Sequence, residues 1–349
     1  MRTISIGDRK IGEGQRPFII AEMSGNHNQS LEKALAIVDA AADAGVHALK
    51  IQTYTADTMT LDLAEREFVI KDPKSLWNGY SLYKLYEEAH TPWEWHKPIF
   101  ERCRARGVIG FSTPFDRTAV EFLKTLNVPF YKIASFEITD LPLIAMVART
   151  GKPMLMSVGM ATAEEIEEAV ATARAEGCEE LVLLKCTSSY PASPEHTNIS
   201  TIADMRKRFQ CNVGLSDHTM GVGVAVAAIA FGATVIEKHF TLSRTEGGVD
   251  SAFSLEPHEM KSLVIESERA WQAIGSVSYG PTEKERPSLQ YRRSIYIAED
   301  LRAGDVLNAK NLRIIRPGLG LAPKHYQELL GKALKRDASK GTPMSWDLV

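Results

Sequence analysis

Eight short runs of apolar and β-branched residues recur along the first 242 residues of the chain. Several are nearly continuous hydrophobic stretches, which is typical of parallel strands that are buried on both faces. The runs are FIIAEMS (18–24), ALKIQTY (48–54), VIGFSTP (108–114), FYKIAS (130–135), PMLMSVGM (153–160), LVLLKCTSSY (181–190), NVGLSDHT (212–219) and VIEKHFTL (235–242). Each run predicts one strand.

The stretches between the runs have helical periodicity and helix-start chemistry. Ser30 precedes LEKALAIVDAAADAG, which ends at Gly45 in the position of a C-terminal cap, and Thr162 with Glu165 forms a capping box. Strand–helix alternation repeated eight times predicts an α/β fold, a (β/α)8 TIM barrel. The alternative, a doubly wound open sheet, usually has fewer strands and a glycine-rich phosphate loop after the first one, and neither fits this sequence.

The last part of the chain has a different composition. Residues 276–290 mix glycine, proline, serine and charge, which indicates a linker. Residues 291–349 contain short strands, turn residues and one short helix. We therefore predict a catalytic barrel domain over 1–275, a linker over 276–290 and a small β-rich module over 291–349.

Composition and charge narrow the possible partners. The 349-residue chain has a net charge of −3, so no global field recruits nucleic acid or an anionic membrane surface. Its four cysteines lie far apart without CxxC spacing, which indicates reduced thiols. It has no apolar signal region and no 18-residue apolar run, so we expect a cytoplasmic protein.

Polar residues cluster where the predicted strands end. In a barrel these ends converge on one mouth, and burying so many polar groups there without a polar ligand would be costly. Lysines and hydroxyls of this kind suit a small polyanion, and the candidates are Lys50, Thr113, Lys132, Ser135, Ser157 and Ser216. His218 and His239, on neighbouring strands, suit a divalent metal that acts as a Lewis acid, with Mn first and Co, Mg, Fe or Zn as alternatives.

The longest insertion, residues 55–90, follows the second strand and contains WNGYSLYKLY (77–86). Tyr83 and Tyr86 are three residues apart, so they could form the core stripe of a short helix. Long loops after barrel strands also build active-site mouths, so a role in shaping the substrate pocket is an equal alternative.

Several motifs, in a fixed order, resemble those of the N-acyl sialic acid synthase family. The resemblance covers essentially the whole chain and implies a (β/α)8 barrel followed by an antifreeze-like (SAF) domain. The matching stretches are AEMSGNHNQS (21–30), KIQTYTADTMT (50–60), FSTPFD (111–116), KIASFEITD (132–140), SVGMAT (157–162), CTSSYPA (186–192), GLSDHTMG (214–221), EKHFTL (237–242) and IRPGLGL (315–321).

Within the family, EMSGNHNQSLEKAL, LWNGYSLYKLYEEAHTPWEWH and GVDSAFSLEP (248–257) are most similar to the branch that forms pseudaminic acid. The resemblance implies a transferase that condenses phosphoenolpyruvate with 2,4-diacetamido-2,4,6-trideoxy-L-altrose and water. The products are the nine-carbon sugar acid and phosphate. Ser251 stands where neuraminic acid synthases usually have histidine.

The resemblance also implies roles for individual residues. It assigns catalysis to Glu22, Glu137 and Asp250, metal binding to His218 and His239, and substrate binding to Asn28, Lys50, Thr113, Lys132, Ser135, Ser157, Ser188, Tyr190, Ser216 and Arg316. It further implies a domain-swapped homodimer in which Arg316 reaches the partner's acceptor sugar. The chain departs from the usual pattern at Ser188, where many relatives have asparagine, and at Val249, where proline is common.

Three alternative functions stay open at this point. The same chemistry could serve an N-acetylneuraminic or legionaminic acid synthase. A metal-independent aldolase could use Lys132 or Lys185 as a Schiff base. The C-terminal module could also be a non-enzymatic carbohydrate- or ice-binding surface on an inert barrel.

Overall fold

The computed structural model describes residues 2–73 and 75–349. The chain divides into two compact units, residues 1–275 and 276–349. In the first unit eight parallel strands close into a barrel, which confirms the predicted fold class. Within the described ranges, no helix is long and apolar enough to span a membrane.

The first unit begins with a two-stranded antiparallel hairpin, β1 (Ile4–Ile6) and β2 (Arg9–Ile11). The barrel strands follow in order, and β10 pairs with β3 to close the ring. They are β3 (Phe18–Glu22), β4 (Ala48–Thr53), β5 (Ile109–Pro114), β6 (Tyr131–Ile133), β7 (Met154–Ser157), β8 (Leu181–Cys186), β9 (Asn212–Asp217) and β10 (Val235–His239). Each predicted run contains one of these strands.

Helices surround the barrel and connect its strands. They are α1 (Leu31–Ala44), α2 (Ala56–Met59), α3 (Leu82–Ala89), α4 (Trp93–Ala105), α5 (Arg117–Thr125), α6 (Leu141–Ala148), α7 (Ala163–Ala175), α8 (Thr201–Phe209), α9 (Gly223–Ala230) and α10 (Pro257–Ile274). The predicted caps are confirmed. Ser30 accepts from the Lys33 amide, Gly45 adopts a left-handed φ of 88°, and Thr162 and Glu165 form a reciprocal capping box.

A hydrophobic layer fills the barrel at the end where its strands begin. Phe111 and Phe130 stack there with ring centroids 3.9 Å apart, next to the first residues of the other strands. Ile4, Ile6 and Ile11 of the N-terminal hairpin belong to the same buried cluster. The sequence patterns did not predict this hairpin. It closes the lower end of the barrel, so polar groups can collect only above this layer.

The second unit has its own small core. Strand β11 (Ser294–Ile297) pairs antiparallel with β12 (Leu312–Ile315), and a short helix, α11 (Tyr326–Leu329), follows. Its buried apolar side chains are Ile295, Ile297, Leu307, Leu312, Leu329, Leu334, Ala338, Met344 and Leu348. The unit is β-rich, as expected. Residues Arg286–Tyr291 form a 3-10 helix, and the linker limits of 276 and 290 stay a prediction.

Candidate active site

A buried network of charged side chains lies inside the barrel above the hydrophobic layer. The Lys50 ammonium is 2.9 Å from Glu22 Oε2 and 3.5 Å from Glu237 Oε1. Lys132 Nζ donates to the same Glu237 oxygen over 3.1 Å. All four residues are at most 4% exposed. Two ammonium groups therefore face two carboxylates in a space with little access to water.

Strand alternation places these groups inside the barrel. Phe18 and Ile20 belong to the lower interior layer, so Glu22, two residues further along β3, points to the same side. Lys132 follows Phe130 and Glu237 follows Val235 by the same rule. The sequence therefore builds an apolar floor and a charged upper layer from alternate residues of the same strands.

Mutual electrostatics decide the protonation states of this network. Burial opposes the charge on Glu237, but Lys132 and Lys50 outweigh it and lower the pKa of Glu237 to about 2. Burial raises the pKa of Glu22, and the facing Lys50 offsets this only in part. Burial likewise lowers the pKa of Lys132, although Glu237 opposes that effect. Glu237 is thus the fixed negative charge at the centre.

Hydroxyl groups stand beside the charged network. Lys50 Nζ lies 3.3 Å from Thr113 Oγ1, and Ser216 Oγ donates to Glu237 Oε1 over 3.2 Å. Among the described residues, the buried Ser157 hydroxyl has no hydrogen-bond partner. Several donors are therefore collected beside two lysines, as the sequence predicted for an anion site.

A glycine makes room for two of the predicted serines. The Gly159 amide donates to Ser135 Oγ over 3.1 Å. A β-carbon at Gly159 would lie only 2.3 Å from Ser188 Oγ and 2.8 Å from Ser135 Oγ. Ser135 and Ser188 thus meet at one point, although 53 positions separate their residue numbers. The close approach requires glycine between them.

The two predicted metal-binding histidines meet at the ends of β9 and β10. Their ring centroids are 5.3 Å apart, and both rings are buried. His218 Nδ1 lies 3.0 Å from the Thr187 carbonyl oxygen. A carbonyl can only accept, so this bond puts a proton on Nδ1 and leaves the Nε2 lone pair of a neutral ring for another partner.

His239 offers a second nitrogen. Its Nδ1 is buried and, within the residues that the structure describes, has no hydrogen-bond partner. It lies 3.6 Å from Asp250 Oδ2. Burial, aided by the nearby His218, lowers the pKa of His239 well below its usual value, so the ring stays neutral at pH 7. Two imidazoles beside a carboxylate fit a divalent first-row metal.

A carboxylate and an aromatic ring border the histidines. Asp250 accepts a short hydrogen bond from Ser24 Oγ, and burial raises the pKa of its carboxyl. The Tyr190 ring lies 4.4 Å from the His218 ring, between centroids. Asn28 donates to the Gly247 carbonyl over 3.2 Å, beside the loop that carries Asp250. Tyr190 and Asp250 therefore contact the histidine pair, and Asn28 contacts the loop that carries Asp250.

Glu137 belongs to a 3-10 turn directly after β6. Burial raises the pKa of Glu137 to about 7, and the Lys132 charge opposes this only weakly. Among the described residues, its Oε2 has no hydrogen-bond partner. A carboxyl with such a pKa can give or take a proton near neutral pH.

A pocket of about 520 Å³ opens between the loops at the barrel mouth. It is lined by Gly25, Asn28, Gln29, Leu76, Trp77, Tyr80, Leu85, Glu88, Gly248, Val249 and Ala252. The pocket therefore joins residues of two segments that carry the sequence resemblance, 76–88 and 248–252. Tyr86 lies 5.8 Å from Tyr54 between ring centroids, whereas the Tyr83 hydroxyl bonds Asp57 at the surface.

Some strand-end residues point away from the site. Lys185 shares its side of β8 with Leu183 on the outer wall, and its Nζ bonds the Cys186 carbonyl. Lys185 is therefore not placed to act as the Schiff base of the aldolase alternative. Arg316 directly follows β12 in the second unit and is exposed.

Sequence reasoning missed two residues of the site. Glu237 lies in the EKHFTL stretch but was assigned no role, although it bridges Lys50 and Lys132. Cys186 Sγ lies 3.8 Å from His218 Nδ1, and although burial opposes ionisation, His218 lowers the pKa of Cys186 to about 7. The available signal was that both residues lie at the ends of predicted strands.

Glu256, His258 and Glu259 form another cluster whose possible ligand atoms lie within 4.8 Å of one another. Both carboxylates already contact Arg244, which lies 3.8 Å from Glu256 and closer to Glu259. Glu256 and Glu259 also form the capping box of α10. The cluster is thus occupied by helix capping and ion pairing.

The chain is similar along most of its length to known proteins. The chain is 43% identical to pseudaminic acid synthase from Campylobacter jejuni over 94% of its length and 95% of the relative's. It is 40% identical to pseudaminic acid synthase from Helicobacter pylori, over 95% and 98%. The crystal structure of N-acetylneuraminic acid (sialic acid) synthetase from Leptospira borgpetersenii, in complex with citrate, superposes with a TM-score of 0.74. The two sequences are 33% identical, and the match covers 83% of this chain and 96% of the other.

The family assignment follows from matches to both units. Residues 292–349 match the SAF domain, as the sequence resemblance implied. Residues 37–279, which include nearly the whole barrel, match the NeuB family. Together with relatives that align along almost the full chain, these matches show that the chain belongs to the NeuB family and carries a C-terminal SAF domain.

Proposed function

We propose that this protein is a pseudaminic acid synthase, a transferase that condenses phosphoenolpyruvate with 2,4-diacetamido-2,4,6-trideoxy-L-altrose and water. The observation that carries the proposal is the 43% identity to a pseudaminic acid synthase along nearly the full chain. Identity to the sialic acid synthetase of known structure is lower, at 33%. The pocket between the 76–90 and 248–252 segments supports an acceptor-binding role for these loops.

Phosphoenolpyruvate binds in the layer of lysines and hydroxyls. Lys50 and Lys132 supply positive charge, while Thr113, Ser135, Ser157, Ser188 and Ser216 supply hydrogen bonds. The unpartnered Ser157 hydroxyl supports this role, because a buried donor without a partner costs free energy until a ligand satisfies it. The lysines also hold the phosphate that leaves.

The reaction forms a bond between C3 of phosphoenolpyruvate and the aldehyde carbon of the open-chain sugar. Water then adds at C2, and the C2–O bond to phosphate breaks. Glu22 and Glu137 lie near Lys50 and Lys132, so their carboxylates stabilise positive charge at C2 and accept the water proton. Asp250, beside His239, orients the acceptor and exchanges a proton with its oxygen.

His218 and His239 hold a divalent metal, for which we propose Mn. When bound, such an ion supplies Lewis acidity toward the aldehyde oxygen. The hydrogen bond from His218 to Thr187 orients its ring, and the unpartnered Nδ1 of His239 supports its use as a ligand. Tyr190 packs on His218 and, with Asn28, limits the space available to the acceptor.

The test offers the three acceptor sugars separately to the purified protein with phosphoenolpyruvate and Mn²⁺. Phosphate release and product mass are measured, and EDTA and His218→Ala/His239→Ala serve as controls. We expect the diacetamido-trideoxy sugar to react fastest and both controls to abolish turnover. Preference for N-acetylmannosamine or the legionaminic precursor would contradict the proposed substrate. A pyruvate adduct trapped by borohydride on Lys132 would favour the aldolase alternative.

We further propose that Arg316 binds the acceptor's N-acyl group across a domain-swapped homodimer. The basis is the resemblance of IRPGLGL (315–321) to the family motif. Mixing inactive Arg316→Ala and Lys50→Ala proteins tests it, because a swapped dimer regains one intact site. No recovery of activity after subunit exchange would contradict the swap.

A further inference from the structure

A second buried ion pair lies on the outer wall of the barrel, directly behind the histidines. Lys238 precedes His239 on β10, and Asp217 precedes His218 on β9. The two residues are register partners, and Lys238 Nζ lies 2.9 Å from Asp217 Oδ2. Their side chains are only 1% and 0% exposed. The pair is on the opposite side of the strands from the imidazoles.

The ammonium group holds the main chain around His218. Besides Asp217, Lys238 Nζ donates to the carbonyl oxygens of Thr219 and Gly221, over 2.5 and 2.9 Å. The three protons of the ammonium thus have three acceptors. Asp217 Oδ1 in turn accepts from the Thr219 amide over 2.9 Å. One side chain therefore fixes the residues on both sides of His218 and is itself next to His239.

Stability alone does not explain such a pair. Removing two charges from water is costly, and replacing a buried ion pair by uncharged residues of similar size is often neutral or stabilising. The pair does fix geometry, because the three hydrogen bonds of Lys238 hold the end of β9 and the residues after it in place relative to β10. We infer that Lys238 and Asp217 are positioning residues, which set the spacing of His218 and His239 for a shared divalent metal.

This inference rests on the proposed metal site, and its test measures metal binding without turnover. The double variant Asp217→Asn/Lys238→Met removes both charges at similar side-chain volume, and the asparagine can still accept from the Thr219 amide. Mn²⁺ affinity is measured by calorimetry and by electron paramagnetic resonance of free Mn²⁺. A matched control, Glu121→Gln/Lys124→Met, removes an exposed pair of 3.0 Å on α5.

We expect the double variant to unfold cooperatively near the wild-type temperature and to bind Mn²⁺ about 10- to 100-fold more weakly, the usual cost of losing the support of a metal ligand. The control should bind as wild type does. A folded double variant with wild-type Mn²⁺ affinity would overturn the inference, as would one that does not fold, because the pair would then serve stability. If the wild-type protein binds no Mn²⁺, the metal proposal itself fails.

Discussion

The indole N–H of Trp77 donates a 2.9 Å hydrogen bond to the main-chain carbonyl of Val249, a residue 172 positions further along the chain. Val249 directly precedes Asp250, whose carboxylate is held by Ser24. The contact therefore ties the insertion after β4 to the loop that carries a proposed acceptor-binding carboxylate.

Replacing Trp77 by phenylalanine keeps an aromatic ring but removes the donor. A neutral hydrogen bond contributes about 1 kcal/mol, so we expect the KM for the sugar to rise roughly fivefold. The KM for phosphoenolpyruvate should not change, because the lysine layer is untouched. The control is Trp271→Phe. Trp271 lines two other pockets, together with residues of the N-terminal segment. An equal rise in both KM values would contradict a selective effect on the acceptor.

Glu137→Gln should stabilise the ligand-free protein above neutral pH. The folded pKa of Glu137, about 7, is above its ordinary value of 4.5, so the folded state binds the proton more tightly. The contribution of this group to the free energy of unfolding is thus fully present below pH 4.5 and is lost as the pH rises through 7. Thermal unfolding of both proteins from pH 4.5 to 8.5 measures this, and activity should be lost in the variant. A pH-independent difference in Tm would contradict the raised pKa.

Gly159→Ala should damage the anion site without unfolding the protein. The new methyl group would meet the Ser188 and Ser135 hydroxyls, which are side-chain atoms that can rotate away. Displacing two proposed phosphoenolpyruvate ligands should reduce kcat/KM for that substrate on the order of 100-fold. Gly223→Ala is a matched control, because its β-carbon meets nothing within 4 Å. Similar losses in both variants would argue against a local effect.

Glu237→Gln should weaken the ligand-free protein and strengthen anion binding. Without Glu237, Lys132 loses its carboxylate partner and Lys50 keeps only Glu22. Breaking a buried pair costs roughly 3–5 kcal/mol of folding free energy at neutral pH. Inorganic phosphate should therefore stabilise the variant more than it stabilises the wild type. The measurement is the unfolding temperature of both proteins as a function of phosphate concentration. The Glu121→Gln protein provides the surface control.

Much of the fold was predictable because barrel strands form apolar runs with polar ends. The same runs hide which side of a strand faces inward, since both sides are buried. Lys132 and Lys185 are both strand lysines, yet one points into the barrel and the other onto its outer wall. Only the register of the closed sheet separates them, and this also explains why Glu237 received no role.

The N-terminal hairpin was missed for a different reason. Its strands, Ile4–Ile6 and Arg9–Ile11, have three residues each, which is too short for a reliable alternation signal. Their apolar residues become buried only because they cover the end of the barrel, which the local sequence does not reveal. The meeting of Trp77 and Val249 was equally hidden, since loop conformations depend on contacts between distant segments.

The layer that Ile4, Ile6 and Ile11 complete also constrains the order of events in the proposed reaction. Because side chains fill the lower end, substrates can reach the lysines only between the loops at the mouth. A sugar seated beside Asp250 would stand in the path of a later phosphoenolpyruvate, so we expect phosphoenolpyruvate to bind before the sugar. For the same reason, we expect the phosphate, which forms beside the lysines, to leave after the sugar acid.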